Sequence, residues 1–180
     1  MIRAFVALML PESLTARLVA VQAGLPVGRA VEPDALHLTL AFLGEHQEPV
    51  IEEVHHGLTE IKAQAFSIAV DGLGISGDPP RALHARVRPN DGLSLLAGAV
   101  QRKAHEAGVA LKRERFRPHI TLARFAKGAT SEKPGALEEF IAARAALRTA
   151  PAQIAAFALF RSYLRREGSV YERLAEYPLA

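Results

Sequence analysis

The chain has 180 residues, a formal net charge of +3 and no cysteine, which excludes a disulfide framework, a thiol nucleophile and a cysteine-based zinc site. Its length suffices to bury a real core in one domain or two tightly joined lobes, and the mild positive charge admits a phosphate-bearing partner without arguing for one that wraps duplex nucleic acid. The apolar opening from Met1 to Leu10 lacks a basic n-region and is cut short by Pro11 and Glu12, so it reads as a buried strand; a cytoplasmic, monomeric protein with no membrane partner is expected.

In chain order, Ile2 to Leu10 is a near-continuous apolar run, the pattern of a strand covered on both faces. Leu14, Leu18 and Val21 then form a helical stripe that Gly24 and Pro26 stop. Leu36 to Leu43 predicts the next strand, closed by Gly44, and Val50, Val54, Leu58 and Ile61 predict a second helix over 49–63. A third strand is expected from Phe66 to Leu73, a long hairpin connection through the Gly/Pro-rich stretch Gly72 to Pro80, and a short fourth strand from Leu83 to Val87. Leu93, Leu96, Val100 and Ala104 place a third helix over 91–107, with Gly108 as its stop. His119 to Phe125 reads as a strand entered through Pro118; Leu137, Phe140 and Ile141 mark a fourth helix; Gln153 to Phe160 and Val170 to Tyr177 close the chain as a hairpin-like pair. The order β-α-β-α-β-β-α-β-α-β-β predicts α+β or α/β packing with helices covering sheets.

One internal echo stands out. His37-Leu-Thr-Leu-Ala-Phe-Leu is matched by His119-Ile-Thr-Leu-Ala-Arg-Phe, with 119 − 37 = 82 residues between them, near half the chain. Two similar lobes, each giving one copy, are therefore expected. Residues two apart on a strand share a face, so His37 projects with Thr39 and His119 with Thr121, while the leucines turn to the core. Brought together across a cleft, two imidazoles and two hydroxyls suit in-line attack on a phosphodiester. One imidazole would take a proton from the nucleophile and the other would give one to the leaving oxygen, which their ordinary pKa near ~6.5 allows near neutral pH. Spacing alone leaves open which is which, and it leaves standing a non-catalytic module that binds RNA ends or nucleotides. A histidine-only zinc site is the weaker reading, since no H-E-x-x-H spacing occurs. His46, His55, His56, His84 and His105 lack such a partner and read as surface or packing histidines.

The basic run Lys112-Arg-Glu-Arg-Phe-Arg117 leads straight into His119. Were it extended, Arg113, Arg115 and Arg117 would share the face of His119 and Thr121. Arg124 has the opposite parity and reaches that face only if the strand bulges near its end.

At these residues the sequence resembles the 2H phosphoesterase superfamily, and within it the bacterial and archaeal RNA 2',3'-cyclic phosphodiesterases, historically called 2'-5' RNA ligases. The likeness rests on Leu10-Pro11, on Leu36-His-Leu-Thr-Leu-Ala-Phe-Leu-Gly-Glu45, on Gly72-Leu-Gly74 before Pro80-Arg81, on Phe116-Arg-Pro-His-Ile-Thr-Leu-Ala-Arg124, and on Ser162, Gly168 and Tyr171. It implies a bilobal α+β fold, two lobes with antiparallel sheets and flanking helices around a central cleft, spanning 1–180 as one domain of two pseudo-symmetric lobes. It also implies hydrolysis of a 2',3'-cyclic phosphate at RNA or oligonucleotide ends to a 2'-phosphomonoester, with neither metal nor cofactor, and the reverse joining through a 2'-5' linkage. By the same resemblance His37 protonates the departing 3'-oxygen, His119 activates water, and Thr39, Thr121 and Arg124 bind phosphate. An enzyme of 2'-5'-linked oligonucleotides or small cyclic nucleotides is the neighbouring alternative. The chain departs from the family where Pro80-Arg-Ala-Leu-His84 replaces a pattern ending in Trp. With no tryptophan anywhere, base stacking would have to move to a phenylalanine or to His84.

Overall fold

A computed structural model describes residues 1–112, 114–165 and 168–180. Strand β1 (Ile2–Met9) buries Ala4 to Leu8 on both faces. Helix α1 (Glu12–Gln22) turns Leu14, Leu18 and Val21 inward, as its stripe predicts. A two-residue strand, β2 (Arg29–Ala30), and one 3-10 turn at Pro33–Ala35 lead into β3 (His37–His46). Next come α2 (Glu48–Thr59), β4 (Phe66–Ile68), β5 (Val70–Ser76), β6 (Ala82–Val87) and α3 (Asp91–Glu106). Asn90 caps α3, its side-chain oxygen accepting from the Leu93 N–H at 2.9 Å. The chain ends with β7 (His119–Arg124), α4 (Ala136–Ala142), β8 (Ala152–Ile154), β9 (Ala156–Arg165) and β10 (Gly168–Pro178).

The fold is α+β. One sheet runs β10-β9-β1-β3-β7-β6-β5 with β2 hydrogen-bonded to β7, and β4 with β8 forms a second, two-stranded sheet. Every named strand pair among the described residues is antiparallel. Apart from the two-residue β2, the order β1-α1-β3-α2-β4-β5 is repeated as β6-α3-β7-α4-β8-β9, with β10 added at the edge. The two repeats meet at β3 and β7, which pair only at Leu38 and Ile120.

Four sequence expectations need correction. Gln153 to Phe160 is not one strand, because β8 pairs with β4 in the small sheet while β9 pairs with β1 and β10 in the large one. The apolar run from Phe66 to Leu73 is two strands, because β4 pairs with β8 in the small sheet while β5 pairs with β6 in the large one. An alternating run looks the same whichever sheet takes it. Gly44 does not close β3, since the strand continues to His46; Gly44 has φ +85 at the irregularity between the Ala4–Gly44 and Phe5–Phe42 pairs, a conformation that suits glycine. The hairpin connection is also shorter than the Gly/Pro-rich stretch, because β5 runs through Ser76 and β6 starts at Ala82.

Two bulges decide what faces the junction. Val6 pairs with Ala41 and Ala7 with Thr39, leaving Leu40 over; Leu83 pairs with Ala123 and His84 with Thr121, leaving Leu122 over. These are the same position in the two motifs. Each bulge reverses the alternation, so that after Leu38 and Leu40 the next buried residue is Ala41, and after Ile120 and Leu122 it is Ala123. Phe42 and Arg124 thereby emerge exposed. A bulge leaves ladder groups needing other partners, and a helix glutamine serves each. Gln101 of α3 donates to the Leu40 carbonyl at 3.3 Å, while Gln22 of α1 donates to the Leu122 carbonyl at 2.8 Å, which also accepts from the Val31 N–H at 2.8 Å.

Candidate active site

The antiparallel Leu38–Ile120 pair fixes the site's plan. Carried one residue either way, the register sets His37 across from Thr121 and Thr39 across from His119, all four on the face opposite the two buried apolar residues. His37 and His119 are then diagonal neighbours, a relation that spaces residues roughly 7–8 Å apart.

Both rings are held in the same way. The Nδ1 of His37 lies 2.7 Å from the carbonyl oxygen of Ala35, and the Nδ1 of His119 lies 2.8 Å from that of Arg117, in each case two residues back along the chain. A carbonyl only accepts, so Nδ1 carries the hydrogen and Nε2 is the free nitrogen. Beyond this their surroundings differ. His37 is half-buried, with Phe5 at 4.8 Å and Tyr171 edge-on at 5.2 Å, whereas His119 is exposed. Burial pushes the His37 pKa below the ordinary imidazole value; the bond to Ala35 opposes that, and the charges of Arg124 and His119 add to it.

Arg124 thus reaches the site in spite of its parity. The bulge at Leu122 turns it to the His-Thr face, and its charge bears on His37. Of the basic run, Arg113 lies outside the described residues. Arg115 and Arg117 are exposed in an irregular segment, so the extended register expected for them does not form; Arg117 supplies its carbonyl to His119.

His84 requires a correction. It is not an idle packing histidine: it pairs with Thr121 across β6 and β7, its ring lies 5.0 Å from that of His119, and its Nδ1 is buried without a hydrogen-bond partner among the described residues. Burial first, then the charges of His119 and Arg86, hold its pKa down to about 4, so it is neutral at physiological pH. Gly74 makes room for it, since a Cβ there would sit 2.7 Å from the His84 Nε2. Arg86, also missed, pairs with His119. Alternation within β6 puts His84 and Arg86 on one face, but nothing in the sequence says which strand β6 lies beside.

The other histidines stay apart from this cluster. His55 Nδ1 is 2.7 Å from the Tyr177 hydroxyl, and His46 Nε2 is 2.8 Å from the Leu43 carbonyl. No group of three or more His, Cys, Asp or Glu side chains among the described residues could hold a metal ion. No helix among them is long and apolar enough to cross a membrane. A cavity of about 300 Å³ between α1 and the segment after α4 shares no residue with the site.

Two histidines, each held through Nδ1 by a carbonyl two residues back and each two residues before a threonine on adjoining strands, match the arrangement of a two-histidine phosphoesterase. The chain belongs to the 2'-5' RNA ligase superfamily, whose family model matches residues 10–166. It is 32% identical over 156 residues to the RNA 2',3'-cyclic phosphodiesterase of Aeropyrum pernix, covering 85% of this chain and 86% of that one. The protein of the same name from Thermus thermophilus is 32% identical over 98% of this chain and 90% of its own. Among solved structures, Escherichia coli LigT complexed with 3'-AMP superposes with a TM-score of 0.77 at 26% identity, covering 99% of this chain and 98% of that one.

Proposed function

We propose that this protein hydrolyses 2',3'-cyclic phosphates at RNA ends to 2'-phosphomonoesters, with His37 as general acid and His119 as general base. The observation that supports the reading is the Leu38–Ile120 pair, which makes His37 and His119 diagonal neighbours on β3 and β7, each with its Nδ1 against a backbone carbonyl, together with the Leu122 bulge beside Arg124. The relatives' shared name, RNA 2',3'-cyclic phosphodiesterase, supplies the substrate class.

In the proposed step His119 Nε2 takes a proton from water as the water oxygen bonds to phosphorus in line with the departing 3'-oxygen. The P–O3' bond breaks, and His37 Nε2 gives its proton to that oxygen. The products are a 2'-phosphomonoester and a 3'-hydroxyl, and the two imidazoles have exchanged protonation states. Thr39, Thr121 and Arg124 donate to the non-bridging oxygens, where charge builds. The depressed pKa of His37 belongs to the free protein. Burial and, after it, the Arg124 charge disfavour its imidazolium, and a phosphodiester anion bound beside it offsets the second of these. The same groups run backwards would join ends through a 2'-5' linkage, and water drives the reaction toward hydrolysis.

The reading treats 1–180 as one domain of two pseudo-symmetric lobes, an idea supported by the repeated element order and by the matched bulges with their glutamines. It takes the protein to be a monomer working in the cytoplasm without metal or cofactor. The test is incubation of an oligoribonucleotide ending in a 2',3'-cyclic phosphate, in EDTA, with identification of the product. A 2'-phosphomonoester is expected. A 3'-phosphate would overturn the assignment of the leaving oxygen, and turnover lost in EDTA but restored by zinc or manganese would overturn metal independence.

A further inference from the structure

In the proposed reaction acid and base act on opposite sides of the phosphorus, so whatever carries the entering oxygen lies on the His119 side, away from His37. On that side the large sheet continues through β6 and β5. Water needs no further surface there, yet the fold builds one, and it is cationic.

Arg86 pairs with His119, so the two side chains share the site face, and alternation just past the end of β6 sets Arg88 on the same side. Opposite Arg86 strand β5 carries an extra residue. Val70 pairs with Val87 and Leu73 with Ala85, which leaves both Asp71 and Gly72 facing it. Gly72 has φ +83 and no Cβ; one placed there would fall 2.5 Å from the Arg86 Nη2. The guanidinium therefore lies across β5, two strands beyond His119, or about 10 Å at the usual spacing of ~4.8 Å. Its Nε donates to the Asp71 carbonyl at 3.2 Å, and it has no carboxylate partner among the described residues. Arg148 comes to the same place. It bridges to Asp71, its Nε is 2.7 Å from the Asp71 Oδ1, and its Nη1 donates to the Leu147 carbonyl at 2.7 Å, which also accepts from the Gly72 N–H at 2.9 Å. The Arg88 Nε is 3.8 Å from the Asp71 Oδ2. Three exposed guanidinium groups are thus gathered around one carboxylate, and positive charge is left over beside the base.

We propose that Arg86, Arg88 and Arg148 form a phosphate-binding track for a second RNA strand, the one whose 5'-oxygen enters or leaves at His119. This rests on the hydrolytic reading above and extends it from water to an anionic chain. In joining, a 5'-hydroxyl takes the place of water. Its proton passes to His119, the P–O5' bond forms, the P–O3' bond breaks and His37 protonates the 3'-oxygen. In cleavage of a 2'-5' linkage each step reverses: His37 takes the 3'-hydroxyl proton, P–O3' forms, P–O5' breaks and His119 protonates the departing 5'-oxygen. In both directions the phosphates that follow the 5'-oxygen run over β6 and β5, where guanidinium groups can hold their non-bridging oxygens. Such contacts read charge and not base, so the track responds to the length of that strand and not to its sequence.

The experiment compares kcat/KM for cleavage of two 2'-5'-linked substrates that differ only in the leaving group. One is a dinucleoside monophosphate, whose leaving group is an uncharged nucleoside; the other continues past the linkage as a 3'-5'-linked single-stranded tail. Wild type should favour the tailed substrate. R86Q and R148Q should each lower the tailed-to-untailed ratio about three- to five-fold, the scale of one exposed ion pair, and R86K should keep most of it. The plot of log kcat/KM against log salt for the tailed substrate should also become shallower by about 0.7 for each guanidinium removed. The ratio is internal to each variant, so a general loss of fold or of chemistry cancels from it. Failure of wild type to cleave either substrate, equal rates on both, or a ratio and salt slope unchanged in R86Q and R148Q would each overturn the track. Variants that keep this ratio but lose hydrolysis of a cyclic-ended oligonucleotide relative to a 2',3'-cyclic mononucleotide would put the other strand on these arginines, and so overturn it as well. Failure of wild type to hydrolyse any 2',3'-cyclic phosphate would instead overturn the hydrolytic reading beneath it.

Discussion

His37 and His119 are the same side chain in the same backbone bond, and only their surroundings tell them apart. His37 is half-buried against Phe5 and Tyr171, with Arg124 acting on it, so its imidazolium is disfavoured in the free protein. Removing the guanidinium has a definite sign: in R124Q the His37 pKa should rise toward the ordinary imidazole value, observable as a shifted titration of its Cε1–H NMR resonance. A midpoint that is unchanged or lower would mean Arg124 does not face His37. The same variant should lower turnover about 10²-fold and weaken binding of the product phosphomonoester, as loss of an anion clamp does. His84 makes a stability prediction. Its folded pKa of about 4 lies below the ordinary value of 6.5, so between those values the unfolded chain binds the extra proton. Its contribution is therefore complete above pH 6.5 and is lost as pH falls toward 4. H84F should flatten the pH dependence of unfolding over that window, and an identical slope in wild type and H84F would contradict it.

At the scale of elements, apolar periodicity located α1, α3, β1, β3 and β7, because a helix or strand with a buried face must repeat its apolar residues at that element's period. It could not show the bulges. Counting by twos from His119 puts Arg124 on the wrong face, and only the pairing of β7 with β6 reveals the extra residue at Leu122. Nor did the sequence indicate Gln22 and Gln101, whose partners are backbone carbonyls up to 100 residues away. Their role can be tested at the Leu122 bulge. Gln22→Leu removes a donor from both the Leu122 and the Val31 carbonyls, while the Val31 N–H still serves the first, so the stability cost should be about 2 kcal/mol, the net worth of two typical hydrogen bonds. Activity should suffer more than stability, with KM raised several-fold as Arg124 loses its aim. Denaturant unfolding and steady-state kinetics together check this, and a normal KM in a measurably destabilised variant would show that Gln22 does not help position Arg124.

Over the whole molecule, the 82-residue echo leads to an expectation of two similar lobes, and the element order, β2 apart, runs alike through the two halves. What remained hidden was how the repeats join. Two short motifs on separate surfaces would have had the same sequence; what brings them together is the single Leu38–Ile120 pair at the centre of the large sheet. In the proposed mechanism each half contributes one imidazole, and neither half alone has a complete acid–base set. The central claim is that these two imidazoles transfer the protons in one reaction. Its most direct test is kcat and product affinity of H37A, H119A and the double variant on an oligoribonucleotide ending in a 2',3'-cyclic phosphate. The account predicts that each single change lowers kcat by roughly 10²- to 10⁴-fold, keeps affinity for the 2'-phosphomonoester within a few-fold, and leaves little for the double change to remove; near-normal kcat in both single variants would contradict it.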